Sequence, residues 1–167
     1  MYNELTRVDI QKMQEEIDYR MKVVRPKCLE DLKTARGFGD LSENYEYKAA
    51  KQAQRENMSR MRYLEGMIKS ARVIADRSGA DEVGLFDRVE IYMPEDDETE
   101  VIRVVTTVRC DPRKGLISKE SPFGRAVLGR RVGDRITVQV SESYSYEAVI
   151  RSITKDSDDG SVPLMGY

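Results

Sequence analysis

The chain of 167 residues has no histidine and no tryptophan. Without histidine there is no Ser-His triad, no imidazole metal ligand and no imidazole general base. Cysteine is nearly missing: Cys28 and Cys110 stand far apart and in no CxxC spacing. That pattern offers neither a disulfide framework nor a zinc site, and two lone thiols fit a reducing compartment. No apolar stretch is long enough to span a bilayer, and the first residues carry no apolar run of the secretory type. The expectation is a cytoplasmic protein with no membrane partner. A strong charge of one sign is also lacking, the net being −2. The halves differ, however: residues 1–78 hold 16 Lys+Arg against 13 Asp+Glu, a net of +3, and residues 79–167 hold 12 against 17, a net of −5. This is not the footprint of a strong, free-standing DNA binder.

What is present is helical periodicity in the first half. Ile10, Met13, Ile17, Met21, Val24, Cys28, Leu32 and Ala35 recur in steps of three and four, which keeps them on one helix face. Pro26 interrupts the run, and because the pattern resumes in register the expectation is a mild bend, not a break. Residues 43–76 repeat the pattern as Tyr47, Ala50, Gln54, Asn57, Met61, Leu64, Ile68, Ala71 and Ala75, a heptad seam in which Gln54 and Asn57 weaken packing but set register. Two such segments joined by a short glycine-containing turn predict an antiparallel coiled-coil hairpin over residues 1–78, each arm ~45 Å long. Half of a four-helix bundle completed by dimerisation is the alternative, and the narrow seam favours a two-helix rod. That character leaves the oligomeric state open; the expectation carried forward is a monomer.

After Ser78-Gly79 the period falls to two. Val83–Met93 and Glu100–Val108 read as strands, with the acidic run Glu95-Asp96-Asp97-Glu98 as a solvated hairpin loop between them. Ser121, Pro122 and Gly129 punctuate a short helix as cap, first turn and stop. Strands at Arg135–Val140 and Tyr146–Ile153 complete an α+β unit over residues 79–167, an antiparallel sheet carrying one short helix. The tail from Lys155 reads as loose.

Between the two heptad segments lies Gly37-Phe38-Gly39-Asp40-Leu41-Ser42-Glu43-Asn44-Tyr45-Glu46-Tyr47. Asp40 and Glu43, three residues apart, fit a capping box at a helix start. Together with Glu46 they also make an acidic hairpin tip with a standing affinity for Mg²⁺, which is bound by few protein carboxylates and keeps several waters. Such a tip holds the ion weakly alone and better where another molecule completes the shell. Behind it Lys33, Arg36, Lys48, Lys51 and Arg55 form either a solvated ion-paired face or a basic collar for a phosphate backbone.

The run Gly39-Asp40-Leu41-Ser42-Glu43-Asn44-Tyr45-Glu46-Tyr47-Lys48-Ala49-Ala50-Lys51, with Val24-Arg25-Pro26 and Ala35-Arg36 upstream, closely resembles the tip signature of the GreA/GreB family of bacterial transcript cleavage factors. Leu116-Ile117-Ser118 through Gly133-Asp134, containing Ser-Pro-Phe-Gly-Arg-Ala-Val-Leu-Gly, resembles the family's C-terminal signature. The resemblance spans roughly residues 5–153. It implies a coiled coil followed by an FKBP-like domain that docks on the rim of the secondary channel of bacterial RNA polymerase, while the coiled coil enters the channel. It implies that Asp40 helps hold a catalytic Mg²⁺ shared with the polymerase, that Glu43 orients or activates the attacking water with Ser42 assisting, and that Arg36 and Lys51 lie near the RNA; the charge pattern of the collar adds Lys48 and Arg55 as nucleic-acid-binding candidates. It places Glu120, Ser121 and Pro122 at the docking surface. The reaction it implies is the polymerase's own hydrolysis of backtracked nascent RNA at its 3′ end, the chain being no enzyme alone.

Tyr45 and Lys48 depart from that pattern, standing where small and often histidine residues are usual, so Tyr45 alters fit in the channel or stacks on a displaced base. Ser143-Tyr144-Ser145-Tyr146 replaces a commonly Gly-Gly-containing hairpin. These departures keep open a non-cleaving channel regulator of the same fold. A prolyl isomerase with a helical arm is the third reading, and it wants an aromatic-lined pocket that Phe86, Phe123 and the tyrosines supply poorly.

Overall fold

A computed structural model of the chain describes residues 3–39 and 44–166. The described residues form two compact units: Ile10–Ala71, and Arg72–Gly166 joined by residues 3–9.

The first unit is a helical hairpin. Its first arm runs through α1 (Arg7–Tyr19), a five-residue π turn (Arg20–Val24) and α2 (Arg25–Arg36). Pro26 does not break the arm. A proline ring crowds the carbonyl four residues back, and the wider π turn, closed by Arg25 N–H donating to the Arg20 carbonyl, absorbs it. The extra residue corrects the seam: Met21, expected inside, is 41% exposed, while Arg20 turns toward the second arm. Met13, Ile17, Cys28 and Ala35 are buried as expected.

The second arm is α3 (Tyr45–Lys69), ~37 Å at 1.5 Å per residue. It buries Asn57, Met61 and Leu64. It ends before Ala71 and Ala75, which leave the seam because Arg72–Val73 (β2) pairs in parallel with Glu4–Leu5 (β1). A polar layer crosses the hairpin. Arg60 grips Glu16 with Nε at 2.8 Å and Nη2 at 3.0 Å, Arg20 Nε donates to the same carboxylate at 2.8 Å, and Arg20 Nη1 donates to Asn57 Oδ1 at 3.2 Å. Asn57 thus pins register, as its seam position suggested.

The second unit is α+β. Its five-stranded sheet has the order β5-β4-β3-β7-β6, with β3 (Arg88–Met93), β4 (Glu98–Val105), β5 (Leu116–Ser118), β6 (Arg135–Gln139) and β7 (Ser145–Thr154). Three pairings are antiparallel, and β4 with β5 is parallel. The sheet is therefore mixed at one edge. Two 3₁₀ turns, Thr107–Arg109 and Pro112–Lys114, carry the chain back so that β5 runs beside β4 in the same direction. Alternation places Val89 and Ile91 of β3 and Ile136 and Val138 of β6 in the core. Residues 83–87 are not strand: Phe86 is buried with φ +68°, fixed by its N–H to the Val104 carbonyl and by Arg103 Nε on its own carbonyl.

The tail from Lys155 is not loose. Asp158 receives both terminal nitrogens of Arg109 at 2.6 Å, Val162 is buried in the core, and Met165 N–H donates to the Val108 carbonyl. Arg109 Nε also donates to Asp9 Oδ1 at 2.6 Å, and its guanidinium lies 4.9 Å over the Phe86 ring. Thr6 and Asp9 cap α1 reciprocally, Thr6 N–H to Asp9 Oδ2 and Asp9 N–H to Thr6 Oγ1. No helix among the described residues is long and apolar enough to cross a membrane.

Candidate functional site: the hairpin tip and the α4 edge

The tip is built around Asn44. As the N-cap of α3, its Oδ1 accepts from Tyr47 N–H at 3.0 Å, satisfying a backbone donor that the helix cannot. Its Nδ2 donates to the Ala35 carbonyl at 2.7 Å, near the end of α2. One side chain therefore caps one arm and ties it to the other. On the α2 side Gly37 N–H returns to Thr34 and Phe38 N–H to Ala35, and Gly39 at φ +106° takes a conformation closed to residues with a Cβ. Asp40, Ser42 and Glu43, the expected metal and catalytic residues, lie outside the described residues, as does the capping box expected of them. The cap of α3 is Asn44, a residue the sequence reading left without a role although Asn before a helical run is a start signal.

The basic collar divides in two. Arg36 and Lys51 both approach the Tyr47 ring, at 5.7 and 5.8 Å from its centroid. Hydrogen bonding from Arg36 holds the Tyr47 phenol below its ordinary range against the effect of burial, and the charges of Lys51, Arg36 and Arg55 add to the lowering. Arg36 and Lys51 therefore flank one ring and Arg55 adds its charge from farther along the helix, an arrangement that attracts an anion. Lys48 is not part of this group; its Nζ lies 5.6 Å from the ring centroid of Tyr45. Tyr45 itself is 82% exposed. Glu46 sits in the first turn of α3, where a carboxylate favours the helix dipole.

The other expected site lies at α4 (Pro122–Val127). Ser121 caps it as expected, its Oγ accepting from Gly124 N–H at 2.9 Å, and Pro122 occupies the first turn. Ser121 Oγ also donates to the Ser118 carbonyl at 2.7 Å. Gly124 is required here, because a Cβ would come within 2.1 Å of that carbonyl oxygen. Glu120 is already engaged: Lys119 Nζ donates to Oε1 at 2.8 Å and Arg125 Nη2 to Oε2 at 3.0 Å. Those hydrogen bonds, Lys119 first, hold its carboxyl below the ordinary range. Lys119 also bonds Glu4. Glu120 is thus the acceptor of a small ion-pair network on the unit's surface, with Ser121 and exposed Pro122 beside it. Among the described residues no group of three or more His, Cys, Asp or Glu side chains could hold a metal ion.

The chain is similar to known proteins over most of its length. Residues 3–73 match the family described as "Transcription elongation factor, N-terminal", and residues 78–155 match "Transcription elongation factor, GreA/GreB, C-term". Transcription elongation factor GreA of Mesoplasma florum is 39% identical over 145 residues, 86% of this chain and 93% of that protein. The GreA of Geobacillus kaustophilus is 43% identical over 136 residues, 81% of this chain and 86% of that protein. The crystal structure of GreA factor homolog 1 (Gfh1) of Thermus thermophilus is 24% identical, covers 91% of this chain and 98% of that one, and superposes with a TM-score of 0.40. With both family regions matched in order over most of its length, the chain belongs to the GreA/GreB family of bacterial transcription elongation factors.

Proposed function

We propose that this chain acts as a monomer on bacterial RNA polymerase, placing its hairpin tip in the secondary channel and stimulating the polymerase to hydrolyse backtracked nascent RNA. The observation that supports this best is the tip's construction. Asn44 fastens the ends of the two arms together at the point where the sequence carries Asp40, Ser42 and Glu43, and Arg36 and Lys51 stand at the Tyr47 ring beside it. Two carboxylates are hard oxygen donors and fit Mg²⁺ by their chemistry. When bound between tip and polymerase, Mg²⁺ supplies a more acidic water and offsets charge on the scissile phosphate. Asp40 holds that ion, Glu43 orients the attacking water and accepts its proton, and Ser42 assists between them. Arg36, Lys51 and Arg55, with Lys48, hold the phosphates of the displaced 3′ end so that the bond to be cut stays in line. Glu120, Ser121 and Pro122 dock the second unit on the channel rim, Glu120 exchanging part of its Lys119 and Arg125 pairing for a partner cation.

The chain has no nuclease activity of its own, because an exposed tip lacks the remaining metal ligands and the water-excluding walls that the polymerase supplies. The bulk of the exposed Tyr45 ring favours a second reading, a channel regulator that does not cleave. One experiment separates them: incubate a stalled, backtracked elongation complex carrying 3′-labelled RNA with the protein, and the same RNA with the protein alone. Fragment release only with polymerase and factor together supports cleavage stimulation. Release by the protein alone contradicts it, and occupancy of the complex without release supports the regulator.

A further inference from the structure

The two most exposed large apolar side chains among the described residues both lie at the tip: Tyr45 at 82% and Phe38 at 67%. Tyr45 is not needed for the hairpin's own packing. The seam residue is Tyr47, and at about 100° per residue the two rings point some 200° apart around α3, so they cannot serve one face. Tyr45 instead carries a cation. Lys48, one turn on, places Nζ 5.6 Å from the ring centroid, occupying one side of a ring that otherwise stands open. We infer that Tyr45, backed by Lys48, is a stacking platform for an unpaired nucleobase at the 3′ end of the RNA, an assignment that rests on the function proposed above.

The occupant follows from the surrounding charges. A flat ring exposes a face to any partner, but this ring carries Lys48 against it, while Arg36 and Lys51 stand at Tyr47 farther around the helix. A nucleotide carries both a π-face for the ring and a phosphate for Lys48, its neighbours in the strand have phosphates for the cations at Tyr47, and an extruded base has lost the stacking partner that the ring replaces. A duplex offers no free face, so the platform selects the displaced single strand. Base-on-aromatic stacking of about 1–3 kcal/mol corresponds to roughly 5- to 150-fold in affinity. The hydroxyl plays no part in stacking, so phenylalanine substitutes and alanine does not.

The test places 2-aminopurine as the 3′-terminal base of the RNA in a backtracked elongation complex. The factor carries Asp40→Ala/Glu43→Ala so that the RNA is not consumed. Occupancy is measured separately by competition with a labelled Asp40→Ala/Glu43→Ala factor that keeps Tyr45. The expected result is quenching of the probe on binding, retained with Tyr45→Phe and lost with Tyr45→Ala, whose half-saturating concentration rises at least about fivefold. Equal quenching with Tyr45→Ala, or an unquenched probe in a fully occupied complex, overturns the platform and leaves cleavage standing. A factor that never occupies the complex overturns channel binding itself. Loss of occupancy by Tyr45→Ala and Tyr45→Phe alike assigns the ring to a protein contact and also overturns it.

Discussion

Replacing Arg109 by methionine removes a buried cation that joins its own turn to Asp9 and Asp158 in the sheet unit. The Arg109 side chain is fully buried, as is that of Asp9, and Asp158 is 13% exposed. Methionine keeps most of the volume and the contact with Phe86 but leaves two carboxylates without their partner. Losing one partner of a buried ion pair costs about 3–5 kcal/mol, since the remaining charge is left uncompensated. The lower end applies here. Asp9 keeps donors from Thr6 N–H and Thr106 Oγ1, and Asp158 keeps Thr6 Oγ1 at 3.2 Å and Gly160 N–H at 3.2 Å. Scanning calorimetry of the sheet-unit transition should show a fall of roughly 12–24 °C, from about 3 kcal/mol at 4–8 °C per kcal/mol for a unit near this size. The double variant Arg109→Met/Asp158→Asn should lose less than the sum of the two single variants, because one of the stranded charges is gone. A loss under about 1 kcal/mol for Arg109→Met, or strict additivity in the double variant, refutes the reasoning.

Asn44→Ala removes the α3 cap and the tie to Ala35 together; hydrogen exchange at the Tyr47 amide should accelerate as the tip frays by about 1–2 kcal/mol, and unchanged exchange would assign the tie to other residues. The Glu16 carboxyl is held below its ordinary value of 4.5, first by hydrogen bonding from Arg60 and then from Arg20. Its contribution to the hairpin is therefore complete above that pH and is lost as the pH falls through the lower folded value. The stability advantage of the native chain over Glu16→Gln, read from helix melting at 222 nm, should shrink between pH 6 and pH 3; a constant difference would mean that the carboxylate's charge does nothing there.

The hairpin was legible because three- and four-residue spacing has a single structural solution, and Met13, Ile17, Cys28, Met61 and Leu64 are buried where the spacing placed them. Local periodicity carries no signal for a π turn, so Met21 was assigned inside and Arg20 overlooked. Likewise α3 was drawn too long, because its end is set by pairing of Arg72–Val73 with Glu4–Leu5, nearly seventy residues away. The α4 cap was legible from Ser121, Pro122 and Gly129. The tail was misjudged because its polar residues resemble a solvated terminus, whereas Asp158 meets a buried arginine that the strand pattern gave no reason to notice. At the tip, the signature and the collar were visible in the sequence. The division of the collar between Tyr47 and Tyr45, and the double role of Asn44, depend on where the two arms meet and needed coordinates.

The most direct measurement compares the native chain with Asp40→Asn/Glu43→Gln in release of 3′-labelled RNA from a backtracked polymerase complex, with occupancy measured in parallel. The substitutions keep size and remove charge. Release with the native chain, and its loss in the variant at unchanged occupancy, is the expected result. Equal release by both would contradict the tip carboxylates as the agents of cleavage.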